Sequence, residues 1–257
     1  MITVTAATLY AWMGAFLWPL TRILGLISTA PVFGHSSVPI MAKIGLGVLL
    51  AIIVAPNLTH LPDVNPASLP GILILVQQFI IGSAMGFAMN IAFMAVDMAG
   101  AIISMTMGLS FASFFDPQTQ GQTTVVSQFL TLLATLVFLS INGHLVLIKN
   151  LIDSFHTLPV GMWPGNHIFL QMVDWSGIIM HAGVQLSLPI IAALLITNIA
   201  LGILTRAAPQ LNLFGIGFPI TIGVGFLTLA LSLPYLATPV QKVLQQGLEF
   251  TQQIVQQ

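Results

Sequence analysis

The chain has 257 residues, of which 57% are hydrophobic and only 4% are charged, whereas roughly a quarter of a soluble domain is charged. A mean hydropathy of +1.02 leaves no room for a sizeable soluble domain, so the composition predicts an integral membrane protein. The net charge of −1 excludes nucleic acid as a partner, because no basic surface is available to bind phosphate. The absence of cysteine excludes disulfides, thiolate metal sites and cysteine nucleophiles.

Long apolar stretches alternate with breaks rich in proline or glycine, which predicts one all-α domain over residues 1–257 with long, kinked helices. The predicted arms cover residues 9–30, 40–55, 71–115, 123–158, 168–205 and 214–233, and an amphipathic tail covers 238–257. Residues 1–10 contain no Lys or Arg and so lack the charged start of a cleavable signal peptide. We therefore expect the first arm to be retained.

The first arm contains a proline and a charge, Pro19 and Arg22. The pair predicts a kink, with the guanidinium buried or facing water inside the protein. An equal alternative is that Arg22 lies near a helix end and extends its charge to the membrane interface.

The third arm has no proline over residues 71–115, so it forms either one helix of about 67 Å or a hairpin that bends at glycines. Gly82 and Gly86 make a small-xxx-small site, at which another helix can approach closely. Asp97 lies further along the same arm. A carboxylate facing lipid is costly, so we expect Asp97 to face other protein or a wet cavity.

The segment over residues 107–122 interrupts the apolar sequence near its middle. It places three phenylalanines directly before an amide-rich polar run, and this mixture suits neither lipid nor open water. Pro117 would end any helix that enters the segment. We expect the segment to be a plug or gate in a conduit, formed by Gly108, Phe111, Phe114, Phe115, Asp116, Pro117, Gln118 and Gly121.

The second half of the chain also consists of apolar arms separated by breaks. Asn142-Gly143 breaks the fourth arm, and the glycine there offers a left-handed turn. The arm over 168–205 contains Asp174, and Pro189 predicts a kink in it. The arm leads to a basic turn at Arg206. The tail is an apolar helix faced with glutamine, which favours a protein contact over a lipid-surface anchor.

A metal or cofactor site is not predicted. The six histidines stand no closer than eleven residues apart, so no pair at helical ligand spacing exists. Proteolysis would rest on Asp97 and Asp116, and Asp116-Pro117 is more typical of a turn. No phosphate-binding glycine loop or dinucleotide fingerprint is present.

A proton-coupled transporter for a small solute is the alternative function. It would use polar side chains of the apolar arms as a relay. The candidates are Asp97, Asp174, Arg206, His144 and His181. The two halves of the chain share no repeated motif, although the two overlong arms are consistent with a weak duplication.

Four segments, in order and over nearly the full chain, resemble the FliR family of the flagellar type III protein-export apparatus and its virulence-system counterpart, the SctT family. The tail is more similar to the flagellar branch. The matching segments are STAPVFG (28–34) with Val38, Pro39 and Lys43; MGLSFASFFDP (107–117); NGHL (142–145) leading to DSFHTLP (153–159); and LGILTRAAPQLN (201–212) with GFP (217–219).

The resemblance implies a core subunit of the export gate in the bacterial inner membrane, at the flagellar basal body. It implies a helical hetero-oligomer with FliP and FliQ, mostly raised above the bilayer, with contacts to FlhB and with FlhA and the basal-body ring as further partners. Unfolded flagellar proteins would pass through the centre, driven by a separate ATPase and the proton-motive force. Ala101 departs from the family, which often has glutamate after the glycine matching Gly100.

The resemblance also implies that the segment matching residues 108–122 is the plug, and that the chain is not an enzyme. The three phenylalanines would fill the closed pore through dispersion contacts and desolvation. Asp116, Pro117 and Gln118 would fix the turn, and Gly108 and Gly121 would act as hinges. The alternative for the phenylalanines is ordinary packing between subunits.

Overall fold

The computed structural model describes residues 6–58, 61–109, 124–163, 165, 167–208 and 217–256. Within these residues the chain is helical and contains no strand, which confirms the predicted all-α class. A short 3-10 turn, Ala55–Asn57, follows the second helix. The helices are α1 (Ala6–Thr29), α2 (Ile40–Val54), α3 (Leu69–Met107), α4 (Val125–Ser140), α5 (Gly143–Thr157), α6 (His167–Ser176), α7 (Ile178–Ala207) and α8 (Phe218–Gln253).

Four helical stretches in the described part of the chain are long and apolar enough to cross a membrane. They are Ile40–Asn57, Leu69–Met107, Ile168–Ala207 and Phe218–Gln253. The pair α4 and α5 would make a fifth span, bent by 65° at its break. α1 has 24 residues and contains both Pro19 and Arg22.

The third arm is one helix, so the hairpin alternative is wrong. α3 has 39 residues, about 58 Å at ~1.5 Å per residue. It ends at Met107 and not at Phe115, because Gly108 takes a left-handed conformation with φ +84°. Pro117 therefore has no part in ending this helix.

Two further arms are divided. The arm predicted over 123–158 is α4 and α5, and the left-handed residue between them is Asn142 (φ +55°) and not the predicted glycine. Asparagine adopts this conformation more readily than other residues with a side chain. The arm predicted over 168–205 is α6 and α7, which meet at Gly177.

The last arm and the tail, predicted as separate elements, form the single helix α8. This helix continues through Pro234 and Pro239. A proline removes one helical hydrogen bond and usually kinks a helix. The two prolines alternate with Leu236 and Val240, which are only 6% and 2% exposed, so packing on this stretch favours the helix.

The chain forms two compact units. Unit 1 contains Met1–Ile91, Asn142–Ser176 and Gln245–Gln257, and unit 2 contains Ala92–Ile141 and Gly177–Leu244. The chain thus passes between the units four times, and α3 and α8 each contribute to both.

In unit 1, α1 crosses the first half of α3 at small residues. A Cβ added to Gly82 would collide with the carbonyl oxygen of Arg22, and one added to Gly86 would collide with Oγ1 of Thr29. The same Thr29 hydroxyl donates a hydrogen bond of 3.0 Å to the carbonyl of Ser83. Gly82 and Gly86 therefore lie where the backbones of two helices are in direct contact.

Arg22 lies at the centre of unit 1 and is 0% exposed. Its Nε donates to Oε1 of Gln78 (2.8 Å), its Nη1 to the carbonyl and hydroxyl of Ser154 (2.9 and 3.0 Å), and its Nη2 to the carbonyl of Leu158 (3.0 Å). The guanidinium also lies 4.3 Å from the ring centroid of Phe155. Of the two sequence alternatives, the buried one is correct.

The partners of Arg22 explain how a buried cation is tolerated with no carboxylate beside it among the described residues. Ser154 and Leu158 stand at the C-terminal end of α5, where free carbonyls carry partial negative charge. The amide of Gln78 and the face of Phe155 add two further favourable contacts. Arg22 thus joins α1, α3 and α5 in one network.

The end of α8 packs in unit 1 against α5 and α6. Asn150 donates to the carbonyl of Leu248 (3.0 Å) and to the hydroxyl of Thr251 (2.9 Å). The rings of Trp175 and Phe250 stack with centroids 4.8 Å apart. The apolar side of the tail is thus covered by this chain itself, while its glutamines remain largely exposed.

We expect Arg22→Met to lower the free energy of unfolding by about 2–4 kcal/mol, because Gln78 and Leu158 would each lose a buried partner, at ~1–3 kcal/mol apiece. The matched change Arg206→Met removes the same charge from an exposed site, where a shift within ~0.5 kcal/mol is expected. Thermal unfolding of the purified chain in detergent compares the two. Equal destabilisation would contradict this account of Arg22.

Candidate functional site

The segment predicted as a plug lies mostly outside the described residues, which stop at 109 and resume at 124. Only Gly108 of the predicted set falls within them. The others lie outside the described residues; they are Phe111, Phe114, Phe115, Asp116, Pro117, Gln118 and Gly121. The geometry that bears on the segment is therefore that of the two points where it leaves and rejoins the protein.

The segment leaves α3 at Gly108. The N–H of Gly108 donates to the carbonyl of Met105 (3.1 Å), and its φ of +84° is one that residues with a Cβ rarely adopt. A Cβ at this position would also lie 2.7 Å from Cε1 of Phe218. Both the backbone and the neighbouring ring thus require glycine here.

The segment rejoins the protein at Thr124, through a chain of hydroxyl groups. Ser104 donates to Thr124 (2.9 Å), Thr124 to Ser127 (3.0 Å), and Ser127 to the carbonyl of Asp97 (3.0 Å). Thr124 also caps α4, because its Oγ1 accepts from the N–H of Ser127. Gly100 admits Ser127, since an added Cβ would collide with the Cα of that residue.

The start of α8 also contacts the point where the segment leaves α3. The Thr221 hydroxyl lies 3.0 Å from the carbonyl of Phe218 and 3.4 Å from that of Met107. Gly225 faces the Met107 side chain, which an added Cβ would meet at 2.6 Å. We call the exit and return points, with their contacts, the neck; it comprises Ser104, Gly108, Thr124, Ser127, Phe218 and Thr221.

The two points where the segment over residues 109–123 leaves and rejoins the described chain lie close together. Ser104, one turn before Gly108, touches Thr124 directly, so the segment starts and ends at nearly the same place. Both ends are fixed to helices of unit 2 by hydrogen bonds and packed rings. The two ends of the segment are therefore held by contacts within unit 2.

A recess of about 440 Å³ opens beside the neck in unit 2. We call it the neck recess. Its walls combine methionine, leucine and phenylalanine with three threonines and one amide, that of Asn198. They are lined by Met105, Thr106, Met107, Gly108, Asn198, Leu201, Gly202, Thr205, Gly217, Phe218 and Thr221.

The polar residues singled out in the apolar arms are not in the neck. Asp97 is half-buried on α3 and contributes only its backbone carbonyl to the hydroxyl chain. Asp174 is exposed on α6, and Arg206 is exposed in the last turn of α7. Among the described residues, no group of three or more His, Asp or Glu side chains could hold a metal ion.

The sequence interpretation missed the hydroxyl chain and the role of Arg22. One signal for the chain was present, since Thr124 stands immediately before an apolar run and a polar Ser127 follows three residues later, as at many helix starts. No local signal marks Ser104 or Thr221, because their partners are distant in sequence.

Known proteins are similar to this chain over nearly its whole length. The profile of the family "Bacterial export proteins, family 1" matches residues 13–247. The flagellar biosynthetic protein FliR of Pectobacterium carotovorum is 47% identical over 91% of this chain and 90% of its own length, and that of Escherichia coli 44% over 92% and 91%. The Bacillus subtilis protein of the same name is 32% identical over 91% and 92%. These matches do not favour a small-solute transporter.

We expect Thr124→Val to weaken the neck, because it removes the cap of α4 and its link to Ser104 while keeping the side-chain shape. The loss should be about 1–2 kcal/mol in the free energy of unfolding. Thr131→Val is the control, since the buried hydroxyl of Thr131 has no partner and its removal should be neutral or slightly stabilising. Thermal unfolding in detergent measures both; a Thr131→Val loss as large as that of Thr124→Val would refute the role of the hydroxyl chain.

Proposed function

This chain belongs to family 1 of the bacterial export proteins, the FliR family, and from that premise we propose that it is a core subunit of the flagellar type III protein-export gate. The observation that carries the proposal is the continuous similarity over residues 13–247, in relatives that are named flagellar biosynthetic proteins. The chain is thereby a membrane-embedded flagellar component. The bacterial inner membrane, at the basal body, is the location we propose.

The lengths of the helices support assembly with other chains. α3 has 39 residues, about 58 Å, whereas the hydrocarbon core of a bilayer is ~30 Å thick. In the most apolar 18-residue window of Ile168–Ala207, only 17% of the residues are buried within this chain. Helices too long for one bilayer and open on most sides need protein neighbours along part of their length.

The partners we propose are FliP and FliQ in a helical hetero-oligomer, FlhB in contact with it, and FlhA with the basal-body ring. Unfolded exported proteins are the transported substrate, and membrane lipid covers the remaining apolar surface. Residues 1–257 act in this proposal as one export-gate domain. Its role is structural, with no catalytic residues and no cofactor.

We propose that the segment over residues 108–122 plugs the closed channel. Phe111, Phe114 and Phe115 fill the pore, while Asp116-Pro117-Gln118 holds the turn. Gly108 and Gly121 act as hinges. The neck supports this role because it fixes both ends of the segment to helices, so the segment can be displaced without loosening its base.

A native mass of the tagged chain, extracted from its own membranes in mild detergent, tests the proposed function. We expect a large complex that contains several copies of small hydrophobic partner chains. A monomer or homodimer that moves a small solute in liposomes would instead establish the transporter alternative.

The plug is tested by ion leakage through the assembled complex. Deleting residues 111–118, or changing Phe111, Phe114 and Phe115 to alanine at constant length, should raise leakage without preventing assembly, because the closed pore loses the rings that fill it. Phe169→Ala is the control, since Phe169 is a 51% exposed phenylalanine on α6. Leakage equal to that of the unaltered complex would end the plug proposal.

A further inference from the structure

After Pro189, helix α7 carries a stripe of residues spaced four, three, four and three apart. This alternation keeps side chains on one side of a helix and is the pattern by which paired helices interlock. The stripe is not covered within the described chain: Leu195 is 58% exposed, and Asn198 and Gly202 are exposed as well. We call it the α7 stripe; it consists of Ile191, Leu195, Asn198, Gly202 and Thr205.

Asn198 is the polar member of the stripe. Its side chain makes no hydrogen bond to any other described residue, although α7 belongs to the most apolar of the membrane-spanning stretches, with a mean hydropathy of 2.2. An amide that faces lipid leaves one acceptor and two donors unsatisfied, which is costly. Lipid is therefore a poor cover for this position, whereas a helix that offers an amide or hydroxyl group is a good one.

Gly202 is the open member of the stripe. A Cβ added there meets no heavy atom of the described residues within 4 Å, so the glycine does not serve packing among them. A helical glycine without an internal contact costs about 1 kcal/mol relative to alanine. Its absence of a side chain does, however, allow a second helix to approach closely.

The stripe also opens onto the neck recess. Asn198, Gly202 and Thr205 line that recess of about 440 Å³ together with Phe218 and Thr221 of α8. A helix lying on the stripe would thus have space beside Gly202 for a large apolar side chain. The polar contact at Asn198 and the apolar contact at Gly202 would thus lie about one helical turn apart.

We propose that the α7 stripe is the docking surface for one apolar helix of a different chain, which places an amide or hydroxyl group opposite Asn198 and a bulky apolar side chain over Gly202. Asn198 fixes the register of the pair, as a single polar residue does in paired helices. The inference rests on the proposed function, which supplies the partner chains. It adds the surface and the chemistry of the contact.

Cysteine cross-linking tests the surface directly, because the chain contains no cysteine of its own. Single variants Leu195→Cys, Asn198→Cys and Gly202→Cys are each treated with a short bismaleimide in native membranes, with cysteines introduced on the partner chains. The matched controls are Ile196→Cys, Ile199→Cys and Ile203→Cys, one residue further on, at positions 69%, 57% and 66% exposed. Each control is turned by ~100° about the helix axis.

We expect hetero-chain cross-links several-fold stronger at the stripe than at the controls. Equal cross-linking at both sets would overturn the proposal, since the stripe would then be no more covered than the rest of α7. A product with the mass of two copies of this chain would overturn it too, because the occupant would be a second copy. Absence of any product at the stripe would indicate lipid there.

Substitution gives an independent measurement. Asn198→Leu and Gly202→Leu should each lower co-purification of the partner chains by about three- to ten-fold, the usual range for one polar or close contact between membrane helices. Gly223→Leu is the control, because Gly223 on α8 is equally open, with nothing within 4 Å of an added Cβ. The thermal stability of the isolated variants should be no lower than that of the unaltered chain, because leucine favours a helix more than glycine does.

The two proposals fail in different ways. If the unaltered chain yields no multi-chain complex, the proposed function is wrong. If the unaltered chain yields the complex and both α7 variants retain it in full, only the docking surface is wrong. Loss with Gly223→Leu as large as with Gly202→Leu would likewise refute the assignment to the α7 stripe.

Discussion

Only 4% of this chain is charged, and a few buried polar side chains form hydrogen bonds from one helix to another. These bonds fix how the helices meet. Arg22 joins three helices of unit 1, and Asn150 fastens the end of α8 to α5. Ser127 fastens α4 to α3. Apolar contacts alone would allow these helices to slide, because one aliphatic surface packs nearly as well as another. The polar contacts select one arrangement.

Small residues make those polar contacts geometrically possible. Gly82 and Gly86 let α1 and α3 touch along their backbones, so Arg22 can pass α3 and reach the end of α5. Gly100 does the same for Ser127 in unit 2. Removal of side-chain volume at one position thus determines which hydrogen bonds form at another. At these positions, a glycine allows two helices to approach and a nearby polar residue then bonds across them.

Much of the fold was predictable, because apolar length and helix-breaking residues are local signals. The all-α class and the unusual length of the third arm could be inferred from sequence. The end of α3 could not be inferred, because proline is a stronger helix breaker than glycine and Pro117 is therefore the predicted end point in place of Gly108. The continuity of α8 was missed because its two prolines are outweighed by packing at Leu236 and Val240. The partners of Arg22 are 56 to 136 residues away, beyond any local pattern.

The interlaced path of the chain bears on how the protein is made. Unit 1 is built from the first helices of the chain and from its last residues, because Leu248, Phe250 and Thr251 cover Asn150 and Trp175. Since synthesis runs from the N-terminus, this unit stays open until the end of α8 has been made. Without that part of α8, the buried amide of Asn150 loses its partners and Trp175 loses the ring stacked on it. The cover of α5 and α6 therefore depends on a part of the chain about 75 to 100 residues further on, so unit 1 is completed late in synthesis.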